Sequence, residues 1–314
     1  MKIFIEYDPQ NLSGKGKFLG RLVKQWEKMG IKYSDKQEGC DARLSLTRFR
    51  TKSKLPTVIR IDGSHNEINP IGARDKKRLL NSLKWKNKKT ADSINKSKAV
   101  IWQSDFSRKM GHSFLKIKPK NEYVIFNGDD PNNYLERKPE NIVVMSANWK
   151  NRKHKRLKEM LEIAGNVKEL SFHVLGAFDG NYNIPDNVIT HGLVDQNKIR
   201  EILSKSLLML NICYSDWCPN AVVEALVAGV PVICTANHGV SEIVKNSGIV
   251  VDIDEPISKK HFMRAINKPI KNIQPVYDAI KEIMNGKTFE KPCHLYIDKI
   301  AEKYANVFRQ ILKK

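Results

Sequence analysis

Residues 203–252 read LSKSLLMLNICYSDWCPNAVVEALVAGVPVICTANHGVSEIVKNSGIVVD. Apolar runs alternate here with amphipathic stretches. The pattern predicts a helix over 199–206, a buried strand over 207–214, a polar turn (Ser215, Asp216, Trp217, Cys218) and a helix over 219–228. A strand over 231–235, a loop over 236–239 and a short helix over 240–246 follow. Pro219 suits the first helical position and Gly229 the left-handed position just past the end. Strand–helix alternation implies a parallel sheet, whose ligands lie beyond the carboxyl ends of its strands. Two helix N-termini, at Pro219 and near Val240, are therefore expected to offer unpaired N–H groups and positive dipole ends to one crevice. That is the chemistry of a phosphate site. Glu224 follows one turn into its helix, in reach of a sugar hydroxyl pair, and Asp216 stands on the turn itself.

The run from Asp216 to Leu226 (DWCPNAVVEAL), followed by GVPVI at 229–233, resembles the nucleotide-sugar site of retaining glycosyltransferases of group 1, the family 4-like enzymes. The likeness continues through SEIV at 241–244 and SGIVV at 247–251. Members have two Rossmann-like domains facing across a cleft, the GT-B fold, with a C-terminal helix that packs back on the first domain. The resemblance implies that Glu224 holds the donor ribose and that Asp216 contacts the transferred sugar. Pro219, Asn220, Ala221, His238 and Gly239 then line the donor. Asp216 departs from the usual Glu by one methylene. Taken alone, an acid on such a helix is more often a solvated surface residue; the whole run is what favours a role for Glu224.

At 314 residues the chain has room for two ordinary domains, and 41% hydrophobic residues supply two cores. No apolar run approaches the roughly 18 residues that span a bilayer. The opening MKIFIEY reads as a first strand, not a signal peptide. Five cysteines, an odd number without metal-ligand spacing, are expected to be small buried hydrophobes in a reducing, cytoplasmic compartment. Cys218, at a helix start, is the one where a thiolate is favoured, with no catalytic role expected. The net charge is +21, and about +15 of it falls in residues 1–140, which hold 31 Lys or Arg against 16 Asp or Glu. Lysines mixed with Asn and Ile suit a compositional bias without function. The competing readings are an acidic acceptor, peripheral contact with an anionic membrane and, least favoured, nucleic acid.

Earlier in the chain, 11–17 reads as a Gly-rich strand-to-helix loop before a helix over 18–29. The spacing matches neither the dinucleotide fingerprint nor the P-loop. By resemblance, Gly14 and Gly16 become substrate-side candidates. Strands are predicted over 41–46 and 57–61, the second ending in Arg60 and Asp62 at a ligand-facing edge, with His65 displaced from the family's position. Asp62 joins the catalytic candidates by resemblance, and Arg60 the substrate-binding ones; a local ion pair is the ordinary alternative. A basic helix over 74–97 is assigned a buried stripe of Leu79, Leu80, Leu83 and Trp85, in which Lys84 to Lys89 interleave an aromatic with cations. A strand over 99–104, a helix over 105–114 capped by Ser104 or Asp105, and a strand over 122–126 complete the domain. Two phrases, QSDFS at 103–107 and IFNGD at 125–129, resemble first-domain signatures. A linker is placed at 131–140.

The second domain opens with a strand over 142–145 and a basic loop. In the family that loop neutralises the donor diphosphate, which implies Lys155 first, then Arg152 and Lys150; a solvated charged loop is the alternative. Residues 188–194 match the segment that contacts the donor base through backbone, implicating Gly192 and Leu193, with His191 a structural neighbour. Asp252 and Asp254 are read as lying past the crevice. The boundaries expected are 1–135 for an acceptor-side domain, 136–288 for a donor domain and 289–314 for the returning helix.

The function implied is transfer of a sugar from a nucleotide diphosphate sugar to a glycan, lipid-linked or protein acceptor. Anomeric configuration is retained, with no metal or other cofactor. The rival reading is a degenerate GT-B protein that binds nucleic acid or an anionic membrane surface without catalysis.

Overall fold

Among the described residues of the computed structural model every strand pairing is parallel, and the strands fall into two sheets of six. The structure describes all residues except 12, 64–75, 151, 237, 255–269 and 314; the side chains of 76–80 are also outside the description. His65 and the expected stripe residues Leu79 and Leu80 therefore lie outside the described residues or side chains. Parallel strands buried on both faces need continuous apolar runs rather than alternation. The sequence supplies them: every residue of β3 (Ala42–Leu46), β4 (Thr57–Ile61) and β5 (Ala99–Trp102) is buried.

The chain divides into two compact units, Met1–Asp129 with His294–Lys314, and Asp130–Cys293. The divisions come after 129 and 293, where the sequence reading placed them after 135 and 288. Arg137 explains part of the difference at the first. Its guanidinium donates to the Ser206 carbonyl at 2.7 Å, so the expected linker is anchored in the second unit.

In the first unit the strand order is β2-β1-β3-β4-β5-β6, where β1 is Lys2–Ile5, β2 Lys32–Ser34 and β6 Glu122–Val124. The order reverses between β1 and β3. Helix α1 (Gly14–Lys28) packs on the last helix, α9 (Ile297–Leu312), which returns to this unit as expected. Trp26 meets Phe308 edge-on at 5.7 Å and donates its indole N–H to the Ala301 carbonyl at 3.2 Å. Both rings are fully buried. Truncating Trp26 to Ala should cost about 3–5 kcal/mol.

Three local expectations are corrected. Helix α1 starts four residues earlier than the pattern suggested, because the Ser13 hydroxyl caps it by accepting from the Gly16 N–H at 3.3 Å. Gly14 and Gly16 thus sit in a first helical turn, not a loop. A Cβ on Gly16 would lie 1.9 Å from the Asn11 carbonyl oxygen, so only glycine fits. Strand β2 went unread, since three residues at a sheet edge carry no buried run. Helix α2 (Lys76–Lys96) buries Leu83, Ala91 and Ile94 but leaves Trp85 53% exposed. Residues two apart on a helix point about 200° from each other, so Leu83 and Trp85 cannot share a stripe. Helix α3 (Asp105–Phe114) matches its expected bounds, closed by a capping box between Ser104 and Ser107.

The second unit has the order β12-β11-β10-β7-β8-β9. Its strands are β7 (Glu140–Ser146), β8 (Ser171–Leu175), β9 (Val188–Gly192), β10 (Ser206–Asn211), β11 (Val232–Thr235) and β12 (Gly248–Val251). Counted along the chain this is the 3-2-1-4-5-6 order of dinucleotide-binding folds, and it reverses between β7 and β10. Helices α4 (Leu157–Asn166), α5 (Gln196–Lys205), α6 (Asn220–Val227), α7 (Gly239–Val244) and α8 (Gln274–Met284) connect or cover these strands. Four of the five cysteines are buried as expected, but Cys293 is exposed.

Candidate functional site

The strand order reverses between β7 and β10, and it is at the carboxyl ends beside such a reversal that folds of this kind place their ligands. Two loops meet there. After β7, residues 147–156 end in a short 3-10 turn, Lys153–Lys155. After β10, the chain runs through Asp216 and Pro219 into α6. The Lys155 ammonium and the Asp216 carboxylate meet across this point as an ion pair, their side chains 9% and 14% exposed. Burial alone would lower the lysine and raise the acid. The partner's charge and hydrogen bond outweigh burial on each side, so Lys155 is held above its ordinary value and Asp216 below. The Trp217 N–H assists by donating to Asp216 Oδ1 at 2.8 Å. The pair is therefore fully charged at neutral pH.

The lysine loop is fixed by a residue that sequence reasoning missed. Arg156 adopts a left-handed conformation, φ 58°, which costs a non-glycine residue about 1 kcal/mol. Its guanidinium donates to both Asp254 oxygens at 2.6 and 2.7 Å, donates to the Ile212 carbonyl at 3.3 Å and stacks over Tyr214 at 5.3 Å. The Tyr214 N–H in turn donates to the His154 carbonyl at 2.8 Å. These bonds lock the β7 and β10 loops together. They also correct the placing of Asp254 beyond the crevice: it supports the residue next to Lys155. Arg152 has no carboxylate partner among the described residues, yet lies close enough to depress His154, whose pKa falls to about 4 through burial first, then Lys155 and Arg152. Lys150 is exposed.

Helix α6 begins at Asn220 with extended Pro219 as its N-cap, one residue later than expected, and no side chain caps it. Gly229 takes the anticipated left-handed conformation, φ 83°. Glu224 lies mid-helix and is only 5% exposed.

Helix α7 is not the open anion site the sequence suggested. The Gly239 N–H donates to the Asp216 carbonyl at 3.0 Å and the Val240 N–H to His238 Nδ1 at 3.2 Å. Since Nδ1 accepts, the neutral ring carries its proton on Nε2, which donates to the Thr235 hydroxyl; Thr235 donates to the Cys213 carbonyl at 2.7 Å. Burial first of all lowers the His238 pKa to about 4, keeping that tautomer uncharged. His238 thus caps α7 and ties it to the Asp216 turn. At the far side, Gly192 closes β9 with φ 63° and its carbonyl accepts from the Gly176 N–H at 2.7 Å, while Leu193 stands 85% exposed. His191 pairs with His173 at 3.1 Å.

In the first unit, Arg60 and Asp62 form the ion pair that was the ordinary alternative. Asp62 is the hub of a wider cluster. Oδ1 also accepts from Gln103 at 2.7 Å, and Oδ2 takes Lys15 at 3.3 Å and Thr47 at 3.3 Å. Arg60 donates on to Asn127 Oδ1 at 2.7 Å and stacks over Phe18 at 4.2 Å. Both Asp62 oxygens are thus engaged in joining the carboxyl ends of β3, β4 and β5 to the start of α1.

Comparison with known proteins places this geometry. The family model described as glycosyl transferases group 1 matches residues 127–283. No curated protein matches the sequence. Among solved structures, a sucrose-phosphate synthase from Thermosynechococcus elongatus is similar at a TM-score of 0.73 and 11% identity, with 99% of this chain and 98% of that one covered. Anabaena HepE in complex with UDP and glucose is similar at 0.62 and 13% identity, covering 99% and 100%. WaaG, a glycosyltransferase involved in lipopolysaccharide biosynthesis, is similar at 0.63 and 13% identity, covering 98% and 99%. At these identities the likeness is one of fold: two Rossmann-like units of the GT-B type. The matched model spans half the chain and contains the whole Lys155–Asp216–Glu224 region, so the protein belongs to the glycosyl transferases group 1 family.

Proposed function

We propose that this protein transfers a sugar from a nucleotide diphosphate sugar to an acceptor, with retention at the anomeric carbon and without a metal. The observation that carries the reading is the buried Lys155–Asp216 pair at the β7/β10 reversal. A departing nucleoside diphosphate gains negative charge, and a preorganised cation in a partly dry site stabilises it more than water does. Lys155 and Arg152 supply that charge from the protein itself. Asp216 contacts the sugar being transferred, and its carboxylate keeps Lys155 protonated and aimed before the donor arrives. Glu224, buried one turn into α6, holds the ribose. Gly192 and Leu193 meet the base through backbone. That HepE binds UDP and glucose, and UDP-glucose in a second complex, supports a nucleotide sugar as donor. Asp62 positions the carboxyl-end loops of the first unit, which we assign to the acceptor.

The test is a panel of nucleotide sugars with NMR of the released or transferred sugar. Release of nucleoside diphosphate with the first-formed product in the donor's anomeric configuration is expected. Inverted product would remove the retaining assignment, and failure of every nucleotide sugar to bind would leave the non-catalytic reading.

A further inference from the structure

Among the described residues, a concentration of cations lies away from this chemistry. In the first unit, the crossover between β3 and β4 and the outer part of α2 enclose a cavity of about 640 Å³. That is within the roughly 300–1,000 Å³ of small-molecule sites. Arg50, Lys52 and Lys54 enter it from the crossover, Lys89 and Lys96 from α2, and Lys98 from just before β5. Arg43 forms its buried floor, 2% exposed, already held by Glu6, Thr57 and the Thr51 carbonyl. Among the described residues, Asp92 is its single acidic lining group, and no carboxylate pairs with any of the six outer cations.

Composition does not account for this. Lys and Arg make up 55 of 314 residues, about one in six, but seven of the fifteen that line the cavity. Like charges gathered around one concavity repel in the free protein and focus a field that draws anions. Lysines are point-charge binders of phosphate, suited to several phosphates at variable spacing. The position also separates this cavity from sugar transfer. Thr57 opens β4 and Lys98 precedes β5, so the cavity sits at the amino edge of the sheet, opposite Asp62 and the carboxyl edge. One helical turn from Lys89, the exposed Trp85 ring lies 5.8 Å from its ammonium and 5.5 Å from the Arg48 guanidinium, continuing the cationic surface with an aromatic face.

We infer that this cavity is a second ligand site, specific for a compound or headgroup carrying two or more phosphates, and independent of the donor site. Calorimetric titration of inorganic tripolyphosphate into the full-length protein tests it. Three forms are compared: wild type, Lys52→Ala/Lys54→Ala/Lys98→Ala, and Arg152→Gln. All three lysines are solvent-exposed, so the triple variant keeps the fold. Tripolyphosphate should bind wild type and Arg152→Gln alike, and the triple variant at least ten-fold more weakly. Vesicles containing cardiolipin, whose headgroup carries two phosphates, form a second arm. Vesicle binding with the same dependence on the three lysines identifies a lipid headgroup as the phosphate source; tripolyphosphate binding alone identifies a soluble one. Unchanged affinity in the triple variant, loss confined to Arg152→Gln, or no binding of either probe would overturn the inference.

Discussion

Replacing Asp216 by Asn removes one charge from the pair at the β7/β10 reversal while keeping its shape. Asn still accepts a hydrogen bond, but the Lys155 ammonium is left in a site only 9% open to water without its counter-charge. Breaking a buried pair from one side costs about 3–5 kcal/mol. The remaining exposure and the surviving amide acceptor point to the lower end, about 3 kcal/mol, or roughly a hundred-fold in the folded-to-unfolded ratio. Urea unfolding reads this as a lower midpoint at an unchanged slope. The pH dependence has a definite sign. The depressed Asp216 contributes above the ordinary carboxylate value of about 4 and loses its contribution as pH falls through its folded value. The raised Lys155 contributes fully below about 10.4 and loses it as pH rises through its folded value. The gap between wild type and variant should thus be widest across the neutral range and shrink at both extremes. The double variant Lys155→Met/Asp216→Asn should recover most of the loss, since no buried charge is stranded. A single variant within about 0.5 kcal/mol of wild type at pH 7 would show that solvent already screens the pair.

Glu224→Ala is expected to weaken nucleotide-sugar binding about ten- to hundred-fold, the 1.5–3 kcal/mol of a charged hydrogen bond; unchanged calorimetric affinity in a folded variant removes the ribose assignment. Acid should destabilise the protein between about pH 6.5 and 4, because His238 at about 4 stays neutral while the unfolded chain takes up a proton, a difference of roughly 3 kcal/mol. His238→Gln should flatten that dependence in urea midpoints taken at pH 7 and 5, and identical slopes would refute the buried neutral tautomer. Transfer should persist in excess EDTA, since Lys155 and Arg152 cannot be chelated. Abolition with recovery on adding manganese would contradict that.

The fold was legible where the chain repeats one grammar. A buried run such as Thr57–Ile61 fixed a parallel strand to the residue, and the amphipathic stretch over 105–114 a helix. Edges and starts were less legible. Strand β2 has no buried run to announce it, and α1 begins inside a glycine-rich segment because a serine cap and a close backbone approach favour helix there. Trp85 shows the cost of counting hydrophobics without their angular positions. At the site, Asp216 and Glu224 could be named because they share one short motif, and Lys155 because the basic loop before α4 resembles the family's. Their supports could not. Arg156 and Asp254 are 98 residues apart, and the groups around Asp62 come from α1 and from the ends of three different strands. No local signal in a single sequence links such partners; only the sheet order brings them together. The bonded amides of α7 teach a related lesson, since a helix start is open to an anion only if its own turn leaves it so.

The most direct test of the central claim is calorimetric titration of UDP, GDP and ADP, each in turn, into wild type, Arg152→Gln and Lys155→Met/Asp216→Asn at one fixed ionic strength. Arg152 has no carboxylate partner among the described residues, and the double variant strands no charge, so both should remain folded. At least one diphosphate should bind wild type, and each variant at least ten-fold more weakly, as expected when a charged contact to the diphosphate is lost. Equal affinity of that diphosphate for all three forms, or binding of none to wild type, would contradict a diphosphate site at the β7/β10 reversal.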